Sequence, residues 1–338
     1  MESTIRRKKL RLITCVCVLS ILLLISFLLS ITIGSLDLTL RQVFEAMIGI
    51  NKDPTVNSIV LGYRIPRVLF STCTGFTLGV AGTVIQTLTR NPLADPYITG
   101  MSSGAALGAA IAFLIPALPL LAAPLLAFIG GASMLFLTIF FAKKAGGGSV
   151  GFVLSGIAVG TIANAVLMMI ISMSGEMAHG ILYWIFGSFS TSTWGELQTA
   201  LLVSLPAIVY IFLTVKDLNI LLLGEEHARQ LGVEARRLWF TLLVSSSLAV
   251  AAWVSFCGVI GFIGLVAPHI VRLSVGSDNR FVLPLAGLTG SLLLLVSDDI
   301  VRAPLIPIGE MPVGSITSII GVPFFIYLLT KRGRSLGM

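Results

Sequence analysis

The sequence predicts an all-α polytopic membrane protein, and two observations support this fold class. Of the 338 residues 56% are apolar and 11% are charged, with a mean hydropathy of +1.01. A water-soluble domain of this size cannot bury that much apolar surface. About 20 mostly apolar residues cross a bilayer as a helix. Stretches without Asp, Glu, Lys or Arg of that order lie at 12–36, 68–89, 96–142, 145–175, 197–215, 238–271, 281–297 and 311–330.

These stretches predict either nine or ten spans. The stretch 96–142 is long enough for two crossings, whereas 238–271 is too long for one crossing and short for two. A turn at Cys257-Gly258 would leave a short eighth helix ending near Pro268 and would give ten spans. Without that turn the count is nine. The ten predicted spans lie near 12–33, 66–87, 96–115, 119–141, 150–172, 196–215, 238–256, 259–271, 281–298 and 312–330.

The distribution of Lys and Arg predicts the orientation, because cytoplasmic loops carry an excess of these residues. With ten spans and a cytoplasmic N-terminus, 17 of the 22 basic residues lie inside, and those outside are Arg41, Lys52, Arg64, Arg67 and Arg302. This partition favours ten spans in a cytoplasmic (inner) membrane, with both termini cytoplasmic. The net charge of +7 then reflects topology and not nucleic-acid binding. The first apolar run exceeds a signal-peptide core, which predicts a retained helix.

The chain lacks the sequence features of an active site or an internal energy source. No glycine directly precedes a lysine, so the ATP-binding loop G-x-x-x-x-G-K-[ST] cannot occur. Ionisable residues are absent from the middle of the predicted spans, which disfavours a proton-coupled secondary carrier, the alternative from a different class. The histidines are isolated and the cysteines form no C-x-x-C pair. We predict no enzyme activity, no catalytic residues, no metal site and no cofactor.

One charged segment, 216–236, interrupts the apolar chain. In LLLGEEHARQLGVEARR, residues 221–237, six of the fourteen residues from Gly224 to Arg237 are acidic or basic. The part between Gly224 and Gly232 reads as a short helix whose apolar residues, Ala228 and Leu231, are three apart. Two interpretations are open, a solvated loop or a docking element for a cytosolic protein.

Five sequence blocks carry a resemblance to a known family. They are RIPRVL at 64–69, GVAGTVIQTLTRNPLADPYITGMSSGAALGA at 79–109, LGEEHARQLGV at 223–233, GFIGLVAPHIVR at 261–272 and PVGSITSIIGVPFFIYLL at 312–329. In this order they resemble the FecCD-type permease subunits of ABC importers for iron–siderophores, haem and cobalamin. The resemblance implies a cobalamin-importer-permease-like fold with ten spans, in which residues 1–338 form a single transmembrane permease domain.

The resemblance also implies partners and functional residues. The expected partners are cytosolic ABC ATPase subunits, an extracytoplasmic substrate-binding protein, a second permease subunit in a homodimer or heterodimer, and membrane lipid. ATPase coupling is expected in the loop 216–236, at Gly224, Glu225, Glu226, Ala228, Arg229, Leu231 and Gly232. Docking of the binding protein is expected on outward arginines, whose exposed guanidinium groups would bind carboxylates bidentately: Arg64, Arg67 and Arg302. The inner gate is expected at Asn91, Leu93, Gly148 and Ser149.

The cargo is the least determined feature. The expected function is translocation of a ferric siderophore or a similar metal chelate, driven by ATP hydrolysis in a separate subunit. Cobalamin or haem is the alternative cargo for the same architecture, and molybdate is a weaker one. The segment 175–193 is rich in aromatic residues and methionine, which suits a bulky chelate but also suits anchoring at the membrane interface.

Overall fold

The computed structural model describes residues 2–34, 36–115, 118–119, 122–303 and 311–336. Within these ranges the chain has a π-helical turn at Ser58–Arg64 and 3-10 turns at Pro96–Thr99 and Gly175–Met177. The α-helices are α1 (Glu2–Thr32), α2 (Leu40–Met47), α3 (Pro54–Asn57), α4 (Ile65–Thr89), α5 (Met101–Phe113), α6 (Ala122–Lys144), α7 (Gly148–Met173), α8 (Ala178–Ile185), α9 (Trp194–Leu213), α10 (Val215–Leu221), α11 (Glu225–Gln230), α12 (Ala235–Cys257), α13 (Ile263–Val275), α14 (Asn279–Arg302) and α15 (Val313–Leu336).

The all-α fold class is confirmed, and ten of these helices match the ten predicted spans. Seven are long and apolar enough to cross a bilayer, with α4 counted together with the segment from Pro54. The other three are shorter apolar helices: α5, α13 and α15. Helix α3 belongs to the segment that is counted with α4, and the remaining helices, α2, α8, α10 and α11, lie in the connections between spans.

The turn predicted at Cys257-Gly258 is present, because α12 ends at Cys257 and Gly258 has a φ of +74°. Glycine adopts this backbone conformation at little cost. The predicted end of the next helix near Pro268 is wrong, since α13 continues beyond it. A proline inside a helix leaves the carbonyl four residues earlier without its N–H partner. That carbonyl, of Gly264, accepts a 3.3 Å hydrogen bond from the Gln86 side-chain amide, which allows the helix to continue.

Helix α4 lies at the centre of the fold and packs against α12, α13 and α14. The apolar window that includes α4 is 78% buried, whereas the corresponding window of α1 is 0% buried and faces outward. Gly75 and Gly79 of α4 approach the backbone of α14 so closely that a Cβ on either would overlap a carbonyl, of Gly290 or Ala286. Small residues at such contacts let helices pack tightly in lipid. These glycines therefore pack helices within one chain.

Replacing Gly82 by alanine should destabilise the contact between α4 and α13. A Cβ on Gly82 would overlap the backbone carbonyl of Gly264, and backbone cannot move aside as a flexible side chain can. Overpacking of this kind costs about 1–3 kcal/mol, so thermal unfolding of the purified protein should shift to lower temperature. Gly195→Ala is the matched control, because a Cβ there meets no atom within 4 Å. Equal melting temperatures for the two variants would contradict this account of the packing.

Candidate functional site

The charged segment folds into two short helices, α10 and α11, that connect α9 to α12. The predicted helix between Gly224 and Gly232 is confirmed as α11, a helix of six residues from Glu225 to Gln230. Gly224 has a φ of +110° and Gly232 a φ of +79°. Both values are costly for other residues, so the two glycines let the chain turn sharply into and out of α11.

The two apolar residues between Gly224 and Gly232 point in different directions. Ala228 is completely buried in a cluster of the chain's own residues that includes Leu218, Leu221 and Ala235. Leu231 is 61% exposed. The expectation that Ala228 contacts an ATPase stays a prediction, although its methyl group is packed inside the chain in this structure. Leu231 follows the last residue of α11 and has left the helical path, which places its side chain in the open.

Hydrogen bonds attach this segment to two long helices. The Asn219 side chain in α10 donates to Asp278 at 2.7 Å and accepts from the Asn279 backbone at 2.8 Å, at the start of α14. Hydrogen bonds from the Arg280 side chain hold the pKa of Asp278 below its ordinary value, so this carboxylate stays ionised near neutral pH. Arg90, just after α4, donates to the Leu221 carbonyl at 3.3 Å. The segment is thus fixed to the ends of α4 and α14.

A cleft of about 1260 Å³ separates this segment from the loop between α6 and α7. One acidic residue, Glu234, lines this cleft. The basic residues that line it are Arg90, Lys143, Arg229, Arg236 and Arg237. Trp239, Phe240 and Phe152 supply aromatic surface in the same cleft. An excess of positive charge in a concave site attracts acidic groups.

The structure places the four residues expected at the inner gate in two different regions. Gly148 and Ser149, at the start of α7, line the basic cleft together with Arg229 and Gly232 of the charged segment. Asn91 and Leu93 lie instead in the loop after α4, where the Asn91 side chain accepts a 3.0 Å hydrogen bond from the Leu93 backbone. The structure therefore joins half of the predicted gate to the charged segment. The gating role of all four residues stays a prediction.

The three arginines predicted to be exposed for docking are buried. Their side chains lie among α1, α4 and α14, and the residues are exposed by only 3% for Arg64, 0% for Arg67 and 7% for Arg302. Arg67 forms an ion pair with Asp298 at 2.9 Å and donates to the Tyr63 hydroxyl at 2.7 Å. The premise of free guanidinium groups is wrong, because these groups have partners inside the chain. Docking through them stays an untested prediction, and it would require the buried contacts to open.

Arg302 and Arg64 complete these contacts. Arg302 forms an ion pair with Asp298 at 3.0 Å and a second one with Asp299. It also donates to the Ser30 hydroxyl of α1 at 2.6 Å. Arg64 donates to the backbone carbonyls at the end of α1, at 2.9 Å for Ile31 and 2.7 Å for Thr32. We call Arg67, Asp298, Asp299 and Arg302 the ion cluster, and it holds α4 and α14 together.

Asp298 and Asp299 are important residues that the sequence reasoning missed. They end the uncharged stretch 281–297, so they read as the border of a span. In the structure Asp298 is completely buried. The signal that could have identified them is the spacing to Arg302, since residues three and four apart face each other on a helix.

A comparison with protein-family models identifies the chain. The FecCD transport family matches residues 22–331, nearly the full length. The chain belongs to the FecCD transport family. As a FecCD protein it is the permease subunit of an ABC importer, a multi-pass membrane protein that works with an ATPase and another permease subunit.

Three relatives of this FecCD permease illustrate the range of the family. The cobalamin import system permease protein BtuC of Halobacterium salinarum is 39% identical, over 82% of this chain and 75% of the relative. The hemin transport system permease protein HmuU of Yersinia pestis is 37% identical, over 93% and 94%. The Fe(3+)-citrate import system permease protein YfmE of Bacillus subtilis is 33% identical, over 99% of both chains.

Solved structures agree with this assignment. A metal-chelate type ABC transporter in an inward-facing conformation matches with a TM-score of 0.83 and 31% sequence identity, over 93% of this chain and 97% of that one. PsaBC from Streptococcus pneumoniae matches with a TM-score of 0.58 and 15% identity, which shows a shared fold only.

Neutralising the shared carboxylate of the ion cluster should strongly destabilise the FecCD permease. Asp298→Asn leaves Arg67 and Arg302 buried without the carboxylate they share, and breaking a buried pair costs about 3–5 kcal/mol. The melting temperature of the purified protein should fall accordingly. Glu45→Gln is the control, since it removes a pair with Arg41, whose side chain is 87% exposed, and such pairs contribute little. An unchanged melting temperature for Asp298→Asn would refute the structural role of the cluster.

Proposed function

We propose that this FecCD permease imports a ferric siderophore or a similar ferric chelate. The observation that carries the proposal is the full-length match to permeases named for iron compounds. The match to the Fe(3+)-citrate relative extends over 99% of both chains. The match to the hemin relative extends over 93% of this chain and 94% of the relative. Each of these cargoes is an iron ion enclosed by organic ligands. A permease for such cargo has to pass a bulky complex.

Cobalamin is the second candidate cargo, because the cobalamin relative has 39% identity. That match extends over 75% of the relative, so it supports cobalamin less completely than the iron permeases support iron. Haem is the other alternative cargo, which the hemin relative with 37% identity supports. Molybdate is the weakest candidate, since the basic residues that line a cleft in this chain lie beside the coupling segment and not along a path between spans.

Uptake assays in the native host distinguish these cargoes. Deleting the gene should abolish ATP-dependent accumulation of at least one radiolabelled ferric siderophore or ferric citrate, and the intact gene supplied in trans should restore it. Uptake of labelled cobalamin should be unchanged in the same deletion strain. The opposite result, loss of cobalamin uptake with every ferric chelate taken up normally, would replace the leading proposal by the second one.

Energy is supplied at the segment 216–236, where a cytosolic ATPase docks. Support comes from three features: the exposed Leu231, the basic cleft, and the hydrogen bonds that fix the segment to α4 and α14. Glu226 and Arg229 are also exposed on α11, while Glu225 begins it and Gly224 and Gly232 bound it. A force applied to the segment reaches two long helices through the polar contacts of Asn219 and Leu221 in α10.

Placing a charge at Leu231 should uncouple the ATPase without unfolding the permease. Leu231 is exposed, so Leu231→Asp should insert and fold normally, but its carboxylate would be buried against the docked ATPase. A penalty of about 3 kcal/mol lowers occupancy roughly a hundredfold. The measurements are co-purification of the ATPase and cargo-stimulated ATP hydrolysis. Leu231→Asn is the matched control, since it has the same shape without the charge and should retain more of both activities.

Full retention of the ATPase by Leu231→Asp would show that the segment is a solvated loop. Ala228 is unsuitable for the same test. Its side chain is completely buried inside the chain, so a larger residue there would disturb folding before it disturbed docking.

The remaining assignments complete the proposal. Residues 1–338 act as one permease domain in the cytoplasmic membrane, with both termini in the cytoplasm and a substrate-binding protein on the outer face. The 17-to-5 partition of basic residues supports this orientation. Labelling of a cysteine at position 51 from the cytoplasmic side by an impermeant reagent would contradict it.

A further inference from the structure

Helix α2 (Leu40–Met47) has three distinct faces. A capping box formed by Thr39 and Gln42 starts it. At about 100° per residue, Leu40, Phe44 and Met47 form one stripe along the helix. These residues are 63%, 63% and 43% exposed. We call them the apolar stripe, and an exposed apolar stripe of this kind needs a partner.

The other two faces of α2 already have interaction partners. Val43 and Ala46 are 5% and 0% exposed and pack in a cluster with Ile31 of α1 and Val56 and Val60 of the segment that enters α4. The third face carries Arg41 and Glu45, which form an ion pair at 2.7 Å. A helix with one face on the protein, one apolar and one charged has the pattern of a helix lying at a membrane surface.

The depth of α2 is set by its neighbours. Its buried face contacts Ile31, in the last turn of α1, and Val60, one turn before Arg64. It therefore lies level with the ends of two membrane spans, where the hydrocarbon gives way to headgroups.

Arg64 holds the connection between α1 and α2 in place. Its guanidinium donates to the carbonyls of Ile31 and Thr32, and to that of Leu36 four residues before α2 begins. A Cβ on Gly34 would lie 2.8 Å from this guanidinium, so the connection passes directly over it. The path from α1 to α2 is thus short and clamped, which fixes where α2 can lie.

We propose that α2 is an interfacial helix of the outer leaflet, with its apolar stripe in the boundary between headgroups and acyl chains and Arg41 and Glu45 toward water. The occupant of the stripe is lipid. The exposed Leu28 and Leu29 of α1 lie one turn before the contact with α2, on a helix whose apolar window is 0% buried. Exposed apolar residues of a membrane span face lipid, so lipid reaches the level at which α2 lies. Ile48 and Ile50, which follow α2 in the chain, are also exposed, by 52% and 61%.

This assignment gives Arg64 a role in the membrane assembly. It clamps the connection that seats α2 at a fixed depth, and α2 in turn packs on the segment that enters α4, the central helix. The assignment of the outer leaflet rests on the proposed orientation, whereas the contact with lipid does not.

Spin-label accessibility tests the proposal in the complete transporter in liposomes. The native cysteines, Cys15, Cys17, Cys73 and Cys257, are first replaced, and transport by this background is verified. Single cysteines then replace Leu40, Phe44 and Met47 on the stripe and Arg41 and Glu45 on the charged face. The ratio of oxygen to nickel-chelate accessibility should be higher at the first three positions than at the other two, with the period of a helix. Equal ratios would overturn the proposal, and so would stripe positions that neither reagent reaches, because that shows a protein partner.

A pair of double variants supplies an independent test. Leu40→Asp with Phe44→Asp should lower the melting temperature in liposomes more than in detergent, because only the bilayer imposes a fixed interface. Arg41→Ala with Glu45→Ala is the control and should shift neither. All four side chains lie on the outer faces of α2, so the fold is retained. A shift of equal size in liposomes and detergent would overturn the proposal. Labelling of position 41 from the cytoplasmic side would overturn the orientation alone.

Discussion

The ion pair between Arg67 and Asp298 is the interaction on which the arrangement of the long helices depends. Both side chains are completely buried, and the bilayer offers no water to solvate either one alone. The two residues can therefore lie where they do only if α4 and α14 meet in one register. Arg302 and Asp299 complete a cluster of two positive and two negative charges, and Ser30 connects it to α1.

The same helices carry the contacts to the charged segment 216–236. Arg67 lies near the start of α4 and Arg90 just after its end, where it holds the carbonyl of Leu221. Helix α14 begins at the contact with Asn219 and ends in the ion cluster. Close glycine contacts pack α4 and α14 along the length between. The two helices therefore connect the contacts with α10, at Asn219 and Leu221, to the ion cluster at the opposite end of the spans.

Some features could be predicted from the sequence because they depend on neighbouring residues. Apolar length limits the span count to nine or ten and the partition of basic residues favours ten, while α11 follows from two glycines around a charged stretch. The direction of Ala228 and Leu231 could not be predicted in this way. Three residues apart on a helix they should share a face, but Leu231 lies beyond the last helical residue. Pro268 is a similar case, since the side chain that replaces its missing hydrogen bond, Gln86, is distant in the sequence.

The sequence by itself determined the membrane class, the ten spans, the position of the short helix α11 and the family, because each depends on composition, charge distribution or a contiguous motif. Only the tertiary structure decided which charged residues are exposed to solvent and which are paired inside the chain. Arg67 and Asp298 are separated by 231 positions, and neither residue's neighbours indicate the other. Arg64 reads as an outward charge in RIPR, and the fold makes it a buried clamp on α1. A charged residue can be buried only where residues from distant helices pair with it, and its neighbours in the sequence do not indicate those partners.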